Sequence, residues 1–149
     1  MEKEEYPKIY LYRRVVQAKL FIDNNYANAI ELDNIAGEAF FSKFHFIRLF
    51  KKIYNQTPHQ YLTSVRIEKA KLLLQTKIAV ADVCFSVGFD SISSFTGLFK
   101  RLTAFTPSRY QKLQLKRNEE IRSTPLKFIP NCFAENNGWT KYRNFQEVI

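Results

Sequence analysis

Two cysteines, two histidines, four glycines, five prolines and one tryptophan are all that this 149-residue chain holds of the residues that cross-link, ligate metals or break helices. Cys84 and Cys132 are too few for a disulfide framework. Cys84 lies in an apolar helical run where a small buried thiol is expected, so a reducing cytoplasm fits. His45 and His59 stand far apart with no Cys, Asp or Glu at ligand spacing, which argues against a metal centre. The acidic residues are dispersed, no glycine-rich phosphate loop occurs, and no nucleophile, base and orienting group assemble from the spacing. No catalytic residue and no cofactor is therefore assigned. No apolar run approaches the roughly 18 residues of a membrane span, and the start MEKEEYPK has no signal-peptide core. The expectation is a soluble, cytoplasmic protein that does not engage a membrane.

What is present is apolar and basic. An apolar content of 46%, with 15% aromatic, is ample for a packed core. Residues 8–117 hold 18 basic and 7 acidic residues, a net +11, whereas residues 118–149 hold 4 of each. A surface this basic suits nucleic acid, an anionic membrane or an acidic partner.

The scarcity of Pro and Gly leaves long segments whose apolar residues recur at spacings of 3 and 4 without sustained alternation, which predicts an all-α fold of seven helices. Ile9, Tyr12, Val16 and Leu20 mark one face of a long first helix over residues 8–25. Leu32, Ile35, Ala36 and Ala39 mark a short second helix, Phe40-Phe41 a tight connection, and Phe46, Leu49, Phe50 and Ile53 a third. Thr57-Pro58-His59-Gln60 reads as a capped start for a fourth helix reaching about Thr76. A fifth spans residues 79–87, Gly88-Phe89-Asp90 turns the chain, and Phe95, Leu98, Phe99 and Leu102 face a sixth inward. Thr106-Pro107 opens a seventh, to about Asn118. The expected division is a first helix-turn-helix subdomain over residues 1–57, a linker helix over 58–76, a second subdomain over 77–118, and an irregular extension over 119–149. That extension carries Leu126, Phe128, Ile129, Phe133 and Trp139 without helical period. It either packs back on the domain or waits for a partner.

One pattern occurs twice. Leu49 to Tyr61 reads LFKKIYNQTPHQY and Leu98 to Tyr110 reads LFKRLTAFTPSRY, an offset of 49 residues, and the frame extends upstream through Ser42 with Ser91 and Phe46 with Phe95. Two copies of one supersecondary unit follow. Helix, tight turn and helix is a unit whose second helix can enter the DNA major groove. With Phe46, Leu49, Phe50 and Ile53 buried, periodicity turns Lys43, Phe44, Ile47, Arg48 and Lys51 outward. The counterparts in the second copy are Ile92, Ser93, Thr96, Gly97 and Lys100. Arg48 can bond a guanine edge through two donors, while Phe44 and Ile47 suit thymine methyl groups. Ser93, Thr96 and Gly97 favour backbone approach and water-mediated contact over base discrimination. Ser42, Lys51, Lys52, Ser91, Lys100 and Arg101 suit phosphates. Phe44 and Ile47 have a plainer alternative, contact with the first helix or the tail.

A connecting helix of about 18 residues spans roughly 27 Å, close to the roughly 34 Å recurrence of major grooves on one DNA face. A monomer can then read an asymmetric site, with DNA bending covering the shortfall.

Over residues 9–112 the chain resembles the DNA-binding domain of AraC/XylS-type bacterial transcription regulators. The resemblance rests on Leu32-x2-Ile35-Ala36 followed by Ser42, Arg48-x-Phe50-Lys51, Thr57-Pro58-x2-Tyr61-Leu62, Arg66-x3-Ala70-x2-Leu73-Leu74, Val87-Gly88-Phe89, Phe95-x3-Phe99-Lys100 and Thr106-Pro107-x2-Tyr110. It implies two helix-turn-helix motifs joined by a helix, binding promoter DNA and commonly activating transcription, in the stand-alone type without an effector domain. Reading helices are implied at residues 42–52 and 91–101. Three positions depart from the pattern: Cys84 for a small alanine, Gln111 for an arginine after Tyr110, and Gly97 for a long polar residue. The expected function is sequence-specific binding of double-stranded DNA as a transcription regulator, an activator that recruits RNA polymerase. The alternative is a helical protein-interaction module that has lost DNA reading.

Overall fold

The computed structural model describes residues 5–31 and 42–136. The short second helix expected around Leu32 to Ala39, the Phe40-Phe41 connection and Trp139 lie outside the described residues. Among the described residues the elements are α1 (Glu5–Asn25), α2 (Lys43–Tyr54), α3 (Pro58–Leu73), α4 (Val80–Ser86), α5 (Ile92–Thr103), α6 (Pro107–Ser123), a 3-10 turn (Pro125–Phe128) and α7 (Asn131–Asn136). The architecture is all-α.

The sequence repeat is reproduced atom by atom at the helix ends. The Ser42 hydroxyl accepts from His45 N at 3.3 Å and that of Ser91 from Ser94 N at 3.4 Å, so both capping serines satisfy an amide the helix itself cannot. Both following helices end on a left-handed residue, Asn55 at φ 58° and Ala104 at φ 66°. Thr57 and Thr106 then cap α3 and α6, each with a buried proline at the first helical position. The capping box is complete only in the first copy, where Gln60 Oε1 accepts from Thr57 N at 3.0 Å.

Each copy builds its own core. Val15, Ala18, Ile22, Phe46, Phe50 and Leu62 form the first; Ile67, Ala70, Leu74, Val83, Cys84, Val87, Phe89, Phe95 and Phe99 form the second. The rings repeat as well: Phe50 meets Tyr61 edge-on at 5.8 Å, and Phe99 meets Tyr110 at 5.4 Å. Burial pushes the Cys84 thiol up, so this cysteine acts as an inert small apolar residue.

Three expectations are corrected. The packing face of α1 is Val15, Ala18 and Ile22, while Ile9 (58% exposed), Tyr12, Val16 and Leu20 (51% exposed) point away. The helix carries apolar residues on nearly every face, and the side that meets α2 and α3 is the one that becomes buried. Leu102 is 52% exposed, whereas its repeat partner Ile53 packs on the first core. The second core holds no α1 residue and so has no cover for that position. Finally, α3 is 16 residues, about 24 Å long, and ends at Leu73 in a turn, while α6 runs past Asn118 to Ser123. Beyond it the extension folds into the 3-10 turn against α6 and the short α7.

Polar contacts tie these elements together. Tyr61 Oη donates to Asp23 Oδ1 at 2.6 Å and Lys19 Nζ to Asp23 Oδ2 at 2.8 Å, fastening α1 to α3. Partial burial opposes ionisation of Asp23, but the bonds from Lys19 and Tyr61 outweigh it and hold the carboxyl below its usual 3.8. Gln111 Nε2 donates to Thr76 O at 2.9 Å and Ile78 O at 2.6 Å, and Asn118 Nδ2 donates to Gln75 O at 3.3 Å. The glutamine in place of arginine thus fastens α6 to the carbonyls between α3 and α4. Between the two cores, Arg66 Nε donates to Tyr26 O at 2.7 Å and its Nη2 to Asn28 O at 3.0 Å. Burial lowers the pKa of this guanidinium and the charge of Asp90 opposes the shift.

Candidate nucleic-acid interface

With Phe46 and Phe50 fixed inward, residues two places away in the helical period turn out. Phe44 and Arg48 are four residues apart along α2, Lys51 and Lys52 lie three and four beyond Arg48, and the four form a single exposed stripe. Phe44 is 73% exposed, the most exposed large apolar side chain among the described residues. Lys43 and Ser42 stand exposed where the helix begins, and the Ser42 hydroxyl already serves as the cap. Ile47 does not join the stripe. It is half-buried and packs on the first core, because its position lies between Phe46 and Phe50 on the core-facing flank.

In α5 the same frame carries smaller groups. Ile92, Ser93 and Gly97 are exposed, Thr96 is half-buried, and Lys100 and Arg101 are exposed in the last turn. The Ser93 hydroxyl lies 3.0 Å from that of Ser91, whose oxygen also caps the helix, so this end of α5 is a cluster of hydroxyls partly engaged with one another. A Cβ added at Gly97 would meet nothing within 4 Å, so the absence of a side chain there is not demanded by packing. The backbone of α5 is open to close approach at that point.

Electrostatically both stripes end alike. Lys51 and Lys52 occupy the last turn of α2, and Lys100 and Arg101 the last turn of α5, where cations also complement the helix dipole. Among the described residues, no hydrogen bond or ion pair engages Arg48, Lys51, Lys52, Lys100 or Arg101. Their guanidinium and ammonium groups are available to an anion.

Sequence reasoning left out Arg109. At the 49-residue offset it matches Gln60, which closes the capping box in the first copy; Arg109 cannot accept a bond and the box is lost. Its guanidinium sits over the Phe105 ring at 5.4 Å, exposed at the positive end of the α6 dipole. A cation is disfavoured there unless an anion comes near. The signal was legible as a broken capping box in an otherwise repeated frame.

A family model for a helix-turn-helix domain matches residues 35–113, which takes in both copies of the frame. The HTH-type transcriptional activator AarP of Providencia stuartii is 36% identical over 107 residues, 71% of this chain and 79% of the relative. An uncharacterized HTH-type transcriptional regulator of Pseudoalteromonas carrageenovora is 35% identical over 98 residues, 66% of this chain and 58% of the relative. A bifunctional transcriptional activator and DNA repair enzyme, AdaA of Bacillus subtilis, is 36% identical over 101 residues, 67% of this chain and 47% of the relative. The chain thus spans about half to four fifths of these relatives. Among solved structures, the DNA-binding domain of AdpA, a global transcriptional factor in complex with a target DNA, superposes with a TM-score of 0.67 at 23% identity. That match covers 71% of this chain and 96% of the other, and it shows the shared fold.

Proposed function

This chain belongs to the AraC-type helix-turn-helix family, and from that premise we propose that it is a sequence-specific double-stranded DNA-binding regulator of transcription acting through α2 and α5. The observation that carries the reading is the doubled frame. Two identically capped helices turn their aromatic faces inward and leave two exposed stripes ending in cations, one in the unit packed on the first half of a 16-residue connecting helix and one in the unit packed on its second half. In this reading Arg48 grips a guanine edge, Phe44 meets thymine methyl groups, and Lys43 adds a donor at the groove. Ile47 contributes only through the way it seats α2. Ile92, Ser93, Thr96 and Gly97 form a weaker reader that tracks the groove through its backbone and water. Ser42, Lys51, Lys52, Ser91, Lys100, Arg101 and Arg109 hold phosphates. Two heads on one chain suit a monomer on an asymmetric promoter site, with RNA polymerase as the protein partner of an activator and the bacterial cytoplasm as the setting. Residues 1–57, 58–76, 77–118 and 119–149 remain the working division into first reader, linker, second reader and extension.

Selection of bound duplexes from a random pool at moderate and at higher salt tests this. Two enriched patches about 10 base pairs apart, the sharper beneath α2, are expected. Affinity should fall with a log-log salt slope near 0.9 per phosphate neutralised. No enrichment at any salt would refute DNA reading and favour an apolar protein partner.

A further inference from the structure

We propose that Arg66 is a positioning residue for two-site DNA reading: it locks the second unit against the first in one rotation about α3, and so sets which spacing of the two half-sites the protein accepts. The inference rests on the DNA-reading function proposed above. The helix α3 feeds both cores, through Leu62 on one side and Ile67, Ala70 and Leu74 on the other. A shared helix fixes the distance between two units but is a poor guard against one unit rolling over its surface.

That roll is blocked at one junction. Arg66, midway along α3, donates to two carbonyls of the segment that follows α1, Tyr26 O and Asn28 O, and its guanidinium lies 5.7 Å from the centre of the Phe89 ring of the second unit. The neighbouring Gly88, at φ +94°, brings its backbone against the same segment. A Cβ there would lie 2.8 Å from Tyr26 O, 3.0 Å from Ala27 O and 3.0 Å from Arg66 Nε. Tyr26 packs on both cores. First unit, linker and second unit therefore meet around one guanidinium. Its planar fork serves two carbonyls at once, which neither glutamine nor lysine can reproduce at that geometry.

Arg66 is half-buried and lies on neither exposed stripe, so its loss should leave each reader able to bind alone. The test compares the wild-type chain with R66Q by fluorescence anisotropy on three duplexes: the selected two-patch site, the same site with base pairs inserted or removed between the patches, and a duplex keeping only the α2 patch. For the wild type a strong preference for the two-patch site and a sharp spacing optimum are expected. In R66Q the ratio of two-patch to single-patch affinity should fall about tenfold or more and the spacing optimum should broaden, with single-patch affinity unchanged, because a looser tether lowers effective concentration. R66Q with the wild-type ratio and spacing profile overturns the proposal. Should circular dichroism show R66Q unfolded, R66K, which keeps the charge but on a single donor nitrogen without the planar fork, carries the same comparison: an intermediate ratio supports the proposal and a wild-type ratio and profile overturn it. A wild-type chain that gains nothing from the second patch overturns two-headed reading itself, and the proposal with it.

Discussion

Replacing Gly97 by alanine should make the protein more stable and, at the same time, a weaker DNA binder. Gly97 sits mid-helix in α5, on the stripe that continues to Lys100 and Arg101. Glycine in a helix interior is about 1 kcal/mol less favourable than alanine. That difference is fully recovered only where the new methyl fits, and here a Cβ meets nothing within 4 Å and the backbone is not left-handed. There is no clash to subtract, and no apolar burial to add at an exposed site. The net is a gain of about 1 kcal/mol, which at a slope of about 2 kcal/mol per molar moves a urea midpoint up by about 0.5 M. For a chain of this size the melting temperature rises by about 2–4 °C. Gly88→Ala is the internal contrast: at φ +94° and with a carbonyl 2.8 Å from the new atom, it should cost about 2 kcal/mol or more. On DNA, the Gly97 methyl stands between the α5 backbone and whatever approaches it, so affinity for the two-patch site should fall while the preference written by α2 persists. A lower urea midpoint for G97A would refute the open helical site. An unchanged DNA affinity would refute close approach of the α5 backbone.

Arg48→Ala should weaken binding to the selected site by about 1–3 kcal/mol and relax preference at one position of the α2 patch, whereas Lys100→Ala should weaken all duplexes alike and reduce the salt slope by about 0.9. Paired titrations on selected and scrambled duplexes separate the two. Ala104 holds a left-handed conformation at φ 66° that glycine adopts without penalty, so Ala104→Gly should raise stability by about 1 kcal/mol in a urea melt, against the usual direction for glycine. Because the bonds from Lys19 and Tyr61 lower the Asp23 pKa in the folded state, their stabilisation is present above the usual value of 3.8 and is lost as pH falls through the lower folded value. Asp23→Asn should therefore be less stable than wild type at pH 7 and lose less between pH 7 and pH 3; equal losses in the two proteins would sink that account.

The repeat made most of the fold legible, because a frame of aromatic, capping and Thr-Pro positions constrains local structure strongly. Both Thr-Pro starts and the four repeated phenylalanines, Phe46, Phe50, Phe95 and Phe99, stand where the spacing put them, and the paired frame serines Ser42 and Ser91 prove to be the helix caps. What failed lies where local pattern is ambiguous. In α1 apolar residues occupy nearly every face, so Ile9, Tyr12, Val16 and Leu20 had the same periodic claim as Val15, Ala18 and Ile22. Only the presence of α2 and α3, which pack on one side of the helix, decides between them. Leu102 was misread because the repeat implies equal cover for both copies, and α1 covers only one. Arg66 was read as a family marker and nothing more. Its partners are main-chain carbonyls some 40 residues away, which no side-chain pattern announces.

The two copies differ in a way that follows from what a recognition helix must do. Everything that seats the helix, namely the serine cap, two phenylalanines, the left-handed exit and the threonine cap, is duplicated, since any loss there misplaces the whole stripe. Everything on the stripe except the terminal cations has diverged, from Phe44 and Arg48 in α2 to Ser93 and Gly97 in α5. Large and bidentate groups discriminate bases; small hydroxyls and bare backbone do not. Cations kept at both helix ends serve phosphates, which are the same in every sequence. A reader built this way takes its specificity mainly from one head and its reach from both, so the geometry between the heads carries information that the second head's side chains do not.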